Sequence, residues 1–301
     1  MRVTLAGIEL RNPVIAASGT FGYGIEFDDI LSLDRIGAFV TKGLSREPMV
    51  GNPAPRILET AAGMMNAIGL QNVGVRAFVA EKLPKILKLR GTVAIANVFG
   101  FSIADCLEVI HVLNDAPGIA MYELNASCPN TSHGGMVFGT NPELLGELTA
   151  QCKAIARRPL MVKLSPNVTS IGQMARVAAD CGADALSLVN TFLALAIDVE
   201  TRRPRIANVT GGLSGPAIKP IALRMVHEAS RAVRIPVVGM GGILTAEDAV
   251  EFLLAGATAV QVGTASYADP RATENIANDL RKWCASHNVA RVTELTGALV
   301  T

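Results

Sequence analysis

Eight short runs of apolar, β-branched residues recur along the chain with segments of helical spacing between them, and no other regularity restricts the fold so strongly. The runs cover residues 13–17, 38–41, 93–98, 119–124, 160–164, 185–189, 236–240 and 259–262. Each has the length and composition of a strand. The intervening stretches 141–157, 170–181, 218–233 and 246–255 place their apolar residues on one helical face, and Asn141 and Thr245 stand where N-caps belong. Repeated strand-helix units of this kind argue for a parallel (β/α)8 barrel, with a doubly wound open sheet as the alternative. Segments 43–90 and 191–216 are too long for plain connections, so they are expected to be extra elements folded over the mouth of the barrel. A barrel with such insertions accounts for all 301 residues, 1–301, as one domain.

Composition narrows the function. Half of the residues are hydrophobic but only 4% are aromatic, which describes a core of small aliphatic side chains. Lys plus Arg (27) against Asp plus Glu (26) leaves a net charge of +1, so neither nucleic acid nor an anionic membrane surface is an expected partner. The amino terminus has no apolar h-region and the chain has no apolar run of ~18 residues, so a cytoplasmic location is expected. The five cysteines lack the close spacing of a metal or cluster site, so no iron–sulfur centre is expected in this chain. Cys106, Cys152, Cys181 and Cys284 fall in helical stretches, where packing explains them. Cys128 differs. It follows a strand in Glu123-Leu124-Asn125-Ala126-Ser127-Cys128-Pro129-Asn130, and Pro129 holds it in an extended loop where a thiol is presentable to a ligand. The plain alternative is a small buried hydrophobe.

In a barrel, chemistry gathers at the carboxyl ends of the strands. Ser18-Gly19, Thr41-Lys42-Gly43, Asn97, Asn125 to Asn130, Lys163-Leu164-Ser165, Asn190-Thr191, Gly239 to Gly242 and Gly263-Thr264 all fall there. Gly241-Gly242 and Gly263-Thr264 follow strands seven and eight, where backbone N–H groups commonly hold a phosphate. Such a site serves sugar phosphates, pyridoxal phosphate and flavin mononucleotide alike. Lys42 and Lys163 sit in apolar strand ends, where an unpaired ammonium is costly, and so are expected to face anionic ligand atoms. A lysine beside a flavin ring would stabilise the charge of its reduced form; a Schiff-base lysine is the competing use. Asn66, Asn125, Asn130 and Asn190 offer the paired donors and acceptors that suit a pyrimidine-like ring.

The motifs 51–56 (GNPAPR), 66–72 (NAIGLQN), 125–130 (NASCPN), 133–136 (HGGM), 163–168 (KLSPNV) and 211–220 (GGLSGPAIKP) occur in the order found in one known family. Along essentially its whole length the chain resembles the dihydroorotate dehydrogenases of the class that pairs with an iron–sulfur flavoprotein subunit and passes electrons to NAD. The resemblance implies one FMN per chain, contacted by Ser18, Lys42, Gly43, Asn97, Asn125, Lys163, Val189, Gly215, Gly241, Gly242, Gly263 and Thr264. It implies dihydroorotate or orotate held by Lys42, Asn66, Ala67, Ile68, Gly69, Leu70, Asn125, Asn130, Asn190 and Thr191, with Cys128 as general base. FAD and a 2Fe-2S cluster are expected only on the partner subunit, around a homodimeric core of this chain in a heterotetramer. The membrane-bound class places serine at the Cys128 position and carries an amino-terminal extension, and neither feature is expected here. Gly43 departs from the family pattern, which has a hydroxyl residue after the lysine, and so offers only backbone. A fumarate-linked or pyrimidine-reducing flavoprotein, or a non-catalytic flavin-binding barrel, are the other readings. His111, His227 and His287 fall on helices as surface or satisfied residues, and His133 reads as part of a turn.

Overall fold

A computed structural model describes residues 1–127 and 138–300, and each of the eight apolar runs is a strand in it. They are Val14–Ala16, Ala38–Val40, Val93–Val98, Ile119–Asn125, Leu160–Lys163, Ala185–Leu188, Val237–Met240 and Ala259–Val262. All pair in parallel, in chain order, and the eighth closes on the first through Val260 opposite Val14. Closure excludes the open doubly wound sheet. The strands are buried on both faces, which explains why they read as continuous apolar runs rather than alternating ones.

The helices follow from caps and amphipathic spacing. Ser102 and Thr245 each form a reciprocal capping box, with Asp105 and Asp248 respectively, and the Asn141 side chain accepts from the Leu144 N–H just before Pro142 opens the next helix. Helix Ile171–Asp180 buries Ile171, Met174, Ala175 and Ala178, an i, i+3, i+4, i+7 stripe. Each large apolar side chain so buried contributes about 1.5–3 kcal/mol. The unit after the first strand departs from the expected repeat, because only two short 3-10 turns, Ile25–Phe27 and Leu33–Arg35, precede the second strand. The carboxyl-terminal helix Ala272–Ser286 packs against the first strand and the second of those turns. Glu274 ties it there, accepting from the Ser32 N–H at 3.1 Å and from Arg35 Nη1 at 2.8 Å.

The two long segments meet over the mouth. Phe192–Leu195, Thr210–Ser214, Gly63–Asn66 and Ile57–Thr60 form a four-stranded antiparallel sheet, in that order. Beneath it lies a separate small core of Met65, Ala67 and Ile206. Segment 43–90 is only partly insertion, since it also carries the helical stretch 75–86 that follows the second strand. Among the described residues no helix is long and apolar enough to cross a membrane.

Candidate active site

A cavity of about 690 Å³ opens at the carboxyl ends of the barrel strands, roofed by the antiparallel sheet. Barrel ends supply Ser18, Lys42, Gly43, Asn97, Asn125, Lys163, Val189, Asn190 and Thr191 to its wall. The later loops supply Gly215, Gly241, Gly242, Gly263 and Thr264, and the roof supplies the run Asn66, Ala67, Ile68, Gly69 and Leu70. Nineteen positions picked from loops scattered over the whole chain thus border one space. Cys128, Asn130 and the stretch 133–136 lie outside the described residues.

The loops after strands seven and eight have the form of a phosphate cradle. Gly242 has φ +80°, and the backbone N–H groups of Gly242, Ile243 and Thr264 make no hydrogen bond among the described residues. At Gly263 an added Cβ would lie 3.5 Å from the Ala17 Cβ and 3.8 Å from the Thr20 side chain, ordinary contact distances, so the protein itself leaves room there. Lys219 braces this side by pairing with Asp248 at 2.6 Å and Glu251 at 2.8 Å, while Asp248 also caps its own helix. The helix that follows Thr264 is a single turn, Ala265–Ala268, so bare N–H groups rather than a long dipole are what this loop offers.

The two lysines differ in a way their sequence contexts do not reveal. Lys42 borders the cavity without an acidic partner among the described residues. Burial first, and the Arg56 guanidinium second, hold its ammonium below the usual lysine range. Lys163, only 6% exposed, lies with its Nζ 3.8 Å from Glu123 Oε1, so it is not the unpaired cation its apolar setting predicts. Glu123 is the residue that the sequence reading missed. It is fully buried and accepts hydrogen bonds from Asn97 Nδ2 (2.7 Å), Ser187 Oγ (3.0 Å) and Gln261 Nε2 (2.6 Å). The one available signal was an acid inside an apolar strand.

The asparagines form a linked set. Asn125 Oδ1 accepts from the Ser127 N–H at 3.2 Å and from Asn190 Nδ2 at 3.3 Å, and Asn190 Oδ1 accepts from the Thr191 N–H at 2.8 Å. No partner for the amide nitrogen of Asn125 occurs among the described residues, and Asn125 borders the cavity. The roof run is pinned from outside: Asn52 donates its backbone N–H to Ile68 O (3.0 Å) and Nδ2 to Ala67 O (2.9 Å), while Arg56 reaches Gln71 Oε1 at 2.6 Å. Gly43 has a local cause. A Cβ there would stand 2.9 Å from Asn97 Oδ1 and 3.1 Å from Phe99, so a hydroxyl side chain does not fit beside these neighbours.

These residues fit a flat, anionic, phosphate-bearing cofactor with a small ring beside it. The observations that bear on the fit are the space at Gly263 and one buried acceptor, Gln261 Oε1, that has no partner among the described residues although Gln261 borders the cavity. The remaining cysteines have no part in it: Cys106, Cys152 and Cys284 are buried, and burial pushes the Cys152 thiol up to about 12. His287 closes the carboxyl-terminal helix and stacks on Trp283, away from the cavity.

The family pattern described as dihydroorotate dehydrogenase matches residues 1–283. Over 299 residues, 99% of this chain and 98% of the relative, the sequence is 60% identical to a Solibacter usitatus protein named putative dihydroorotate dehydrogenase A (fumarate). With the same coverage it is 57% identical to a Pelobacter propionicus protein and 55% identical to a Trichlorobacter lovleyi protein. Both of these are named dihydroorotate dehydrogenase B (NAD(+)), catalytic subunit.

Proposed function

This chain belongs to the dihydroorotate dehydrogenase family, and on that premise we propose that FMN and dihydroorotate lie side by side in the cavity, between the two glycine loops and the roof sheet. The enzyme oxidises dihydroorotate to orotate in pyrimidine biosynthesis. When bound, FMN supplies the hydride acceptor for the substrate's C6. Backbone N–H groups of Gly242, Ile243 and Thr264 hold the phosphate, and the ring contacts Ser18, Gly43, Asn97, Lys163, Val189 and Gly215. Lys42 pairs with the anionic substrate, while Asn66, Asn125 and Asn190 fix its ring, with Asn130 as a further contact. The roof run 66–70 excludes water from the reacting face. Cys128 takes the C5 proton as thiolate, the one step that needs a base.

The observation that carries this reading is Lys42. A half-buried ammonium that borders the cavity without an acidic partner among the described residues is one that a ligand's negative charge would stabilise.

Electrons leave through a second subunit, because no dinucleotide fingerprint in strand-glycine-helix context occurs in the sequence. That subunit is an iron–sulfur flavoprotein carrying FAD and a 2Fe-2S cluster, which joins a dimer of this chain and passes the electrons to NAD. The fumarate-linked reading is favoured by one observation, the name of the 60% identical relative. Anaerobic mixing of the purified protein with dihydroorotate tests the whole reading. The expected result is rapid bleaching of one flavin per chain, and bleaching at least ~100-fold slower near pH 7 in Cys128→Ser, which should still hold FMN. Protein without flavin, or flavin that dihydroorotate leaves yellow, would overturn it; Cys128→Ser at wild-type speed would remove Cys128 as base. Reoxidation of the bleached flavin by fumarate would select the fumarate-linked alternative.

A further inference from the structure

A carboxylate sits across the barrel lumen beneath the cavity and takes no part in the roles given above. Glu123 leaves the fourth strand and binds side chains from three others: Asn97 on the third, Ser187 on the sixth and Gln261 on the eighth, on the far side of the barrel. Lys163, on the fifth, stands 3.8 Å away. Glu123 itself is fully buried and does not border the cavity, whereas Asn97, Lys163 and Gln261 do.

Stability alone gives little reason for this arrangement. Replacing a buried ion pair by well-packed aliphatic residues is often neutral or favourable, and the rest of this barrel is filled that way. What the carboxylate does achieve is orientation. It takes the amide N–H of Gln261, which turns that side chain's unpartnered oxygen away from Glu123, and it takes the amide N–H of Asn97. It also stands beside the Lys163 ammonium, beneath the cavity that Lys163 borders, in surroundings with no competing solvent.

We propose that Glu123 is a positioning residue for the flavin: it fixes Lys163 at the cavity floor and offsets part of its charge, and so sets how strongly the site favours the reduced, anionic ring. The inference rests on the FMN reading above. Its sign follows from electrostatics. With the carboxylate neutralised, the ring loses a nearby negative charge and the Lys163 ammonium is no longer drawn toward Glu123, so reduction becomes easier.

The test is Glu123→Gln, which keeps the shape and can meet Gln261 by rotation of its amide. The readout is the ratio of reduced to oxidised bound FMN at a fixed ambient potential set by a reference dye, with FMN saturating. We expect the ratio to rise at least about tenfold, equivalent to ~30 mV for a two-electron couple. In a Lys163→Met background the same substitution should change it by clearly less, because only the direct effect of the carboxylate's charge on the ring remains and none through the position of Lys163. A ratio within about twofold of wild type in FMN-loaded Glu123→Gln overturns the proposal, and so does an equal shift in both backgrounds. If Glu123→Gln does not accumulate as folded protein, Glu123→Gln/Lys163→Met decides: its recovery supports the proposal, since the ammonium is then what the carboxylate offsets. Loss of the double variant while Lys163→Met alone folds makes Glu123 a packing residue and overturns it. Failure of the FMN reading would show separately, as wild-type protein that holds no flavin.

Discussion

Gly263 and Gly242 flank the same proposed phosphate position, yet substitution would test different things at each. A side chain at Gly242 meets Gly215 O and the Lys219 Cβ at 2.8 Å with φ at +80°, so Gly242→Val deforms the loop whatever it binds. A Cβ at Gly263 has ordinary contacts and the residue no positive φ, so Gly263→Val should strain the fold less than Gly242→Val but purify with little FMN. A full FMN complement in Gly263→Val would place the phosphate elsewhere. Lys42 yields a pH dependence with a definite sign. Its folded pKa lies below the unfolded lysine value of about 10.4, so the unfolded chain binds more protons between the two, and ligand-free protein gains stability as pH rises through that window. Orotate binding runs the other way: it needs the ammonium and should weaken up to about tenfold per pH unit above the depressed value. Titration of orotate affinity across alkaline pH checks this, and Lys42→Met should flatten the profile. Lys42 was legible in the sequence because charge inside an apolar strand end is conspicuous. Glu123 was equally conspicuous but ambiguous, since a strand pattern does not say which residues meet across a barrel lumen.

The barrel strands were readable because each is a compact apolar run buried on both faces. The roof strands were not. Ile57–Thr60 alternates exposed and half-buried residues, and its sheet joins segments whose partners no local pattern identifies. The first unit was also misjudged, because it forms two short 3-10 turns, the second of them leaning on the carboxyl-terminal helix, instead of a helix of its own. Glu274 is therefore expected to matter more than a surface acid does. Glu274→Ala removes the acceptor for the Ser32 N–H and the partner of Arg35, and should cost about 1–3 kcal/mol, read as a lowered Tm or denaturation midpoint. Because Arg35 is more than half exposed, most of that loss comes from the orphaned backbone group, and Arg35→Ala should cost less than 1 kcal/mol, roughly. Equal losses in both variants would contradict this division.

At the scale of the molecule, the reaction needs a partner as well as a substrate. Dihydroorotate and NAD with this chain alone should yield little NADH, and addition of the partner subunit should restore it; fast NADH formation by the lone chain would end the two-subunit reading. The roof sheet has a further consequence, for the order of assembly. Asn66 pairs with Gly212, almost half the chain away, so the strand holding the proposed substrate run has no inner neighbour until a much later segment arrives. During synthesis the first strands emerge before that segment exists. Long-range pairings of this kind form late because the intervening chain must first be closed into a loop. The nascent protein therefore passes through a stage with a partial barrel and no roof, in which the small cluster of Met65 and Ala67 still lacks Ile206. Competence to hold a substrate waits for that pairing, and until then the underside of the roof is a surface a chaperone would meet.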